Sequence, residues 1–144
     1  MSNLRSLLAK GLRPGAYRWQ SDLTPDEVRR EVTAAGWDFV LLDTSEIQDK
    51  TGFLDLCATA FDLPRGFGRN WDALADSLSD RSTGEPEIVL WVGLRHLLEH
   101  DHDTVDMALQ IFTENITNSG QLRVLIHEPT TAATPYLLSS LPVL

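Results

Sequence analysis

LPRGFGRNWDALADSL, Leu63 to Leu78, holds a loop and a helix side by side. Pro64, Gly66 and Gly68 are breakers that keep the chain in a loop. Asn70 is a good helix N-cap, because its side-chain oxygen can accept from a backbone N–H two or three residues on. Trp71, Leu74, Ala75 and Leu78 then fall at i, i+3, i+4 and i+7, one apolar stripe that faces a core. Asp72 and Asp76 lie four apart on another face, with Ser79 one turn further. Like charges at this spacing repel by roughly 0.2–0.5 kcal/mol. The helix dipole favours Asp72 in the first turn and helps Asp76 less. No Lys or Arg stands between Asn70 and Asp80. Such a face is either simply solvated or presented to a basic partner, where the repulsion is relieved on binding.

Working back toward the start, Thr51 to Phe61 reads as a helix with Phe53, Leu54, Cys57, Ala58 and Phe61 on one side. Cys57 in that stripe is a buried, inert thiol rather than a nucleophile. Trp37 to Asp43 (WDFVLLD) is a nearly continuous apolar run, which suits a central parallel strand covered on both faces. Thr24-Pro25-Asp26-Glu27 starts a helix: Thr24 caps, Pro25 takes the first helical position and Glu27 completes a capping box. That helix runs to Ala35, is closed by Gly36, and buries Val28, Val32 and Ala35. Ala16 to Gln20 reads as a strand with Tyr17 and Trp19 on one face and Arg18 on the other. Strand, helix and strand from Ala16 to Asp43 form a β-α-β unit. Leu4, Leu7, Leu8 and Leu12 make an earlier helical stripe, ended by Gly11 and Pro14-Gly15.

Working forward, Asp80 to Pro86 is a turn-rich connector and Glu87 to Trp91 a buried strand. Gly93 to His100 is a short helix and Asp101-His102-Asp103 a polar loop. Asp103 or Thr104 caps a longer helix reaching about Asn118, with Val105, Leu109, Phe112 and Ile116 on its core side and Asn118-Ser119-Gly120 as its stop. Leu122 to His127 is the last clear strand. Pro129 to Leu144 has no clear period, and Tyr136-Leu137-Leu138 and Leu141 either cover an edge of the core or stay mobile. Alternating strands and helices imply an α/β layered domain with a mainly parallel sheet.

The chain has 144 residues, 42% hydrophobic and 23% charged, proportions of one ordinary globular domain that needs no staples. One cysteine leaves no intrachain disulfide framework, and a reducing compartment fits. The first residues, MSNLRSLLAKGLRPG, read as neither a signal peptide nor a membrane span, so a cytoplasmic location and no membrane association are expected. A net charge of −9 argues against direct nucleic-acid binding and favours fast association with basic proteins.

His96, Glu99, His100, Asp101, His102 and Asp103 invite a metal reading, since His96 and His100 have helical ligand spacing. The zincin motif needs a glutamate directly after the first histidine, and Leu97 stands there. A solvated helix end is the better account, and neither a metal nor a cofactor is expected. Gly66 and Gly68 match no phosphate loop, and no nucleophile elbow occurs. Asp72 and Asp76 as an acid/base pair would sit on a ridge, whereas catalysis uses concave sites. An enzyme is therefore not expected.

Leu63-Pro64, Phe67-Gly68 and Asn70-x-Asp72-Ala73-Leu74-x-Asp76-x-Leu78 together resemble the barstar family, intracellular protein inhibitors of barnase-type ribonucleases. The resemblance extends at lower density from about Trp37 to Glu128. It divides a single domain into an extension at 1–36, a barstar-like core at 37–128 and a tail at 129–144. It implies three parallel core strands in sequential order with helices packed on the sheet, and the N-terminal β-α extension adds one strand more.

The resemblance also implies a mechanism. The helix would plug a ribonuclease active site. Asp76 would occupy a phosphate subsite and accept charge-assisted hydrogen bonds from guanidinium groups. Asp72 would pair at the edge of that subsite. Phe67 and Gly68 would pack beside the catalytic histidine, and Asn70 would hold the loop-to-helix geometry, with Ala73 in the same contact segment. Glu114, in Leu109-Gln110-Ile111-Phe112-Thr113-Glu114, matches a further acidic contact, whereas the next falls at about Asn118, which carries no charge. Gly66 stands where the family has an aromatic. Arg69 stands where it has an acid, three residues before Asp72 and able to neutralise it in part. The connector between Leu78 and Ile88 is longer than the family's, and Glu85 has no assigned role. The implied partner is a basic secreted ribonuclease or ribonuclease toxin bound by a monomer. The alternative is a barstar-like interaction module with a non-nuclease partner.

Overall fold

In the computed structural model, residues 4–64, 66–81, 85–119, 122–127 and 141–144 are described. Four strands, β1 (Gly15–Trp19), β2 (Asp38–Asp43), β3 (Glu87–Val92) and β4 (Leu122–His127), form one sheet in the order β1-β4-β3-β2. All three pairings are parallel, with Asp38 beside Glu87, Glu87 beside Leu122 and Gly15 beside Arg123. The core strands β2, β3 and β4 thus run in sequential order, and β1 adds a fourth beyond β4. This layered α/β arrangement has the parallel, sequentially ordered core strands that the resemblance implied.

Among the described residues six helices cover the two faces. Helices α1 (Leu4–Ala9) and α2 (Pro25–Ala34) lie on one side, and α3 (Lys50–Ala60), α4 (Trp71–Asp80), α5 (Leu94–His100) and α6 (His102–Ser119) on the other. The sequence alternation of β3 serves both layers. Ile88 and Leu90 pack against Leu4, Leu8, Val28 and Val32, whereas Val89 and Trp91 pack against Phe53, Leu74, Leu97 and Phe112. Trp91 anchors the larger layer. Its ring lies 5.5 Å from that of Phe53 and edge-on to Phe112 at 5.9 Å, and its buried Nε1–H donates to Thr44 Oγ1 at 2.9 Å. Thr44 Oγ1 in turn donates to the Gly93 carbonyl at 3.0 Å. Gly93 adopts φ +71, and a Cβ there would come within 2.5 Å of the Ser45 backbone N, so only glycine lets β3 turn into α5 beside the end of β2.

Several local readings hold. Thr24 and Glu27 form the reciprocal capping box, with Pro25 first in the helix. The Thr24 contacts hold the Glu27 carboxyl below its ordinary range, the hydrogen bond with the Thr24 backbone first. Cys57 is fully buried, and burial pushes its thiol far above the usual range, which leaves it un-ionised and inert.

Others need correction. The apolar run at Trp37–Asp43 yields an edge strand, and Leu41 is 39% exposed; the inner strands, covered on both faces, are β3 and β4. β1, α2 and β2 do form the strand-helix-strand unit, but β1 and β2 occupy opposite edges, so the unit crosses the whole sheet with β4 and β3 between its strands. Lateral order depends on where β3 and β4 insert, which local composition does not encode. Ala35 is the exposed C-cap of α2, not part of its buried side. The helix at Thr51 starts one residue earlier, at Lys50, because Asp49 caps it by accepting from Gly52 N at 2.8 Å. The polar loop at residues 101–103 is shorter than read. Asp101 accepts from Thr104 N at 3.1 Å, so α6 begins at His102 rather than after a cap at Asp103 or Thr104.

Part of the connector (82–84), the stop at Gly120 and Tyr136-Leu137-Leu138 lie outside the described residues. Leu141 packs on the larger core, and 142–144 run along the outer edge of β1, where Arg18 N donates to Pro142 O at 2.8 Å and Leu144 N to Arg18 O at 3.0 Å.

Candidate functional site

Helix α4 is seated by its apolar stripe and tied down at both ends. Leu74 and Leu78 are buried, each contributing about 1.5–3 kcal/mol over an exposed side chain. At the N-terminal end, Asn70 Oδ1 accepts from Ala73 N at 2.8 Å and Asn70 Nδ2 donates to Gly68 O at 2.9 Å. One side chain thus closes both the loop and the first turn, the role read for it in the sequence. A Cβ on Gly68 would meet Asn70 Nδ2 at 3.3 Å and Ala73 Cβ at 3.5 Å, so the loop lies close over the cap. Trp71 is half-buried, 6.0 Å from the Phe53 ring, with Lys50 Nζ 5.8 Å from its centroid.

The C-terminal end is held by Arg81. Its guanidinium lies 5.2 Å from the Phe61 ring, Nε donates to Phe61 O at 3.2 Å, and Nη1 pairs with Glu87 Oε1. Glu87 is 3% exposed at the start of the central strand. Arg81 therefore supplies the counter-charge that this buried carboxylate requires.

The face left outward is acidic. Asp72 and Asp76 are exposed on consecutive turns, followed by Ser79 and Asp80. Among the described residues neither Asp72 nor Asp76 has an ion pair or a side-chain hydrogen bond. Arg69 does not neutralise Asp72 as its spacing suggested. It adopts φ +37 and its guanidinium pairs with Asp55 on α3. The left-handed backbone at Arg69 turns the side chain away from α4 and ties the loop to the neighbouring helix. Arg69 therefore provides no counter-ion to Asp72 or Asp76.

The structure brings Gly68, Asn70, Asp72, Ala73 and Asp76 into one continuous loop-to-helix segment. Phe67 belongs to the same loop, but its ring packs inward at 8% exposure as part of the larger core. In this structure it holds the loop down instead of presenting an aromatic surface. Glu114 lies apart in sequence, exposed on α6, the helix against which α4 packs, and accepts from Gln110 Nε2 at 3.1 Å. Asp55 and Lys50 were missed in the sequence reading. Both sit on α3, where Asp55 meets Arg69 of the loop and Lys50 meets Trp71 of α4, at positions that carry no sign of these partners.

The histidines at 96, 100 and 102 lie on α5 and at the start of α6. The His96 and His100 rings lie 4.3 Å apart, and the Nδ1 of His100 is engaged with the His96 carbonyl at 2.8 Å. His102, Asp103 and Asp106 bring ligand atoms within 4.8 Å of one another on the surface, with His102 Nδ1 3.0 Å from Asp106 Oδ2, which is also an ordinary helical i,i+4 pair.

No helix among the described residues is long and apolar enough to cross a membrane. The chain matches the family model described as barstar, the barnase inhibitor, over residues 37–127. That span contains β2 through β4 and every residue of the candidate site, and leaves α1, β1 and α2 outside. A search of curated proteins returns no match.

Proposed function

The chain belongs to the barstar family, and from that premise we propose that it inhibits a basic, guanyl-type ribonuclease by filling the active site with α4 and the loop before it. The observation that carries this reading is the pair of exposed carboxylates, Asp72 and Asp76, unpartnered among the described residues, on a helix fixed at both ends. A ribonuclease active site holds phosphate with cationic side chains. Two carboxylates about one helical turn apart, ~6 Å, can replace consecutive phosphate charges there. Because α4 is already ordered, little conformational freedom is lost on docking.

In this reading Asp76 accepts charge-assisted hydrogen bonds from guanidinium groups and Asp72 pairs at their edge. Gly68, without a side chain, lets the enzyme approach the loop backbone. Asn70 and Ala73 hold the turn, and Phe67 supports it from beneath. Glu114 contributes a second acidic contact from α6. The protein acts in the cytoplasm of a cell that makes the ribonuclease, as its immunity protein. The net charge of −9 accelerates encounter with a basic enzyme in low salt.

The test is a titration of RNA cleavage by a panel of small basic guanyl-type ribonucleases, with wild type and Asp76→Ala side by side. Stoichiometric inhibition by wild type, lost in the variant, is the expected result. A second reading, an interaction module with a non-nuclease partner, draws on Gly66 and on the Arg69–Asp55 pair, two places where the loop departs from the family pattern. It predicts capture of a basic protein through Asp76 with no effect on RNA cleavage.

A further inference from the structure

The two edges of the sheet are treated differently. Along β1, residues 142–144 take up the outward backbone groups of Arg18. Along β2, no described residue pairs with the outer edge. The N–H groups of Asp38 and Thr44 donate inward, to Pro86 O and Val92 O, both at 3.0 Å. Strand alternation then turns the N–H and C=O of Phe39, Leu41 and Asp43 outward. Sheet edges are usually blunted by lysine, proline or a bulge, and DFVLLD contains neither residue. Leu41 stands 39% exposed instead.

A groove of about 250 Å³ runs beside this edge, lined by Pro25, Asp26 and Arg29 of α2 and by Phe39 and Leu41 of β2. Phe39, Leu41 and Pro25 give it an apolar part, and the cation among its described lining residues, Arg29, is already paired with Asp26. Asp38 and Asp43 stand at the two ends of the strand, and among the described residues neither carboxylate has a cationic partner.

We propose that the outer edge of β2 is a docking site for an extended segment of a basic protein, which adds a strand beside Phe39, Leu41 and Asp43, places alternate aliphatic side chains in the α2 groove and pairs flanking cations with Asp38 and Asp43. Strand addition supplies main-chain hydrogen bonds, and the groove supplies selectivity for every second side chain. The charge pattern selects a cationic segment over a second copy of this chain, because each copy carries −9 and copies repel. The site uses neither Asp72 nor Asp76, so it is independent of ribonuclease inhibition.

The probe is the peptide Lys-Lys-Val-Thr-Ile-Thr-Val-Lys-Lys, titrated into the isotope-labelled full chain while backbone amide shifts are followed. Saturable shifts at Phe39, Leu41 and Asp43 are expected. They should weaken about tenfold in Leu41→Lys and in Asp43→Lys, survive in Asp76→Ala, and be absent with the analogue carrying glutamate in place of every lysine. Thermal melts of both β2 variants check that they fold. Absence of saturable shifts overturns the proposal, as do shifts confined to α4 and lost in Asp76→Ala. Sedimentation that shows a dimer without peptide, dissolved by Leu41→Lys, would make the occupant a second copy and overturn the basic partner.

Discussion

Asp76→Ala should raise stability and weaken inhibition at least ~150-fold. The side chain is exposed and has no ion pair or hydrogen bond among the described residues, so its removal breaks nothing in the fold. It relieves an i,i+4 repulsion with Asp72 of roughly 0.2–0.5 kcal/mol, and alanine is a better helix former than aspartate by up to about 0.7 kcal/mol. The net gain is about 0.5–1 kcal/mol, which for a chain of this size raises the melting temperature by roughly 2–4 °C. Binding moves the other way. If Asp76 receives two charge-assisted hydrogen bonds, each worth about 1.5–3 kcal/mol, its loss weakens the complex by at least about 3 kcal/mol, or ~150-fold. Thermal melts followed by circular dichroism give the first quantity, and inhibition titrations against a responsive ribonuclease give the second. A lower melting temperature would refute the structural reasoning, because it would mean that Asp76 supports the fold. Unchanged inhibition would refute the placement of the site on this face of α4.

Further outcomes follow from individual contacts. Arg81→Ala leaves Glu87 buried without its counter-charge and should cost about 3–5 kcal/mol in a urea melt; adding Glu87→Gln to it should restore part of that loss. Gly93→Ala should destabilise by well over the ~1 kcal/mol of a left-handed alanine, because its Cβ meets the Ser45 backbone, and a far smaller change in melting temperature would argue against the close approach of β3 and β2. The Glu27 carboxyl is held below its ordinary value by Thr24, so its stabilisation is complete above the usual carboxylate range and is lost as pH falls through the lowered value. Wild type should therefore melt above Glu27→Gln at neutral pH and converge with it in acid, and a gap that persists in acid would refute the charge argument.

Much of the local structure was legible because it depends on neighbours within one turn. The Thr24–Glu27 box, the Asn70 cap, the α4 stripe and the burial of Cys57 all follow from spacing of a few residues and one period of the helix. The charged row Asp72–Asp76 was visible for the same reason. The core strand order came through the family resemblance and not from periodicity.

Contacts between segments far apart in the chain were not legible. Arg69 has Asp72 three residues away in sequence and Asp55 across a helix boundary, and its backbone conformation turns it to the second. Phe67 is given by the resemblance as a contact residue, and the packed loop puts its ring inside. The apolar run of β2 reads as a central strand, yet it stands at an edge. Only the insertion of β3 and β4 between β1 and β2 leaves β2 with an open side, and only the return of 142–144 closes the other edge. Helix caps, stripes and charge rows are local energies that a stretch of sequence carries within itself. Pairing, burial and edge exposure are relations between stretches, and they exist only once the sheet has assembled.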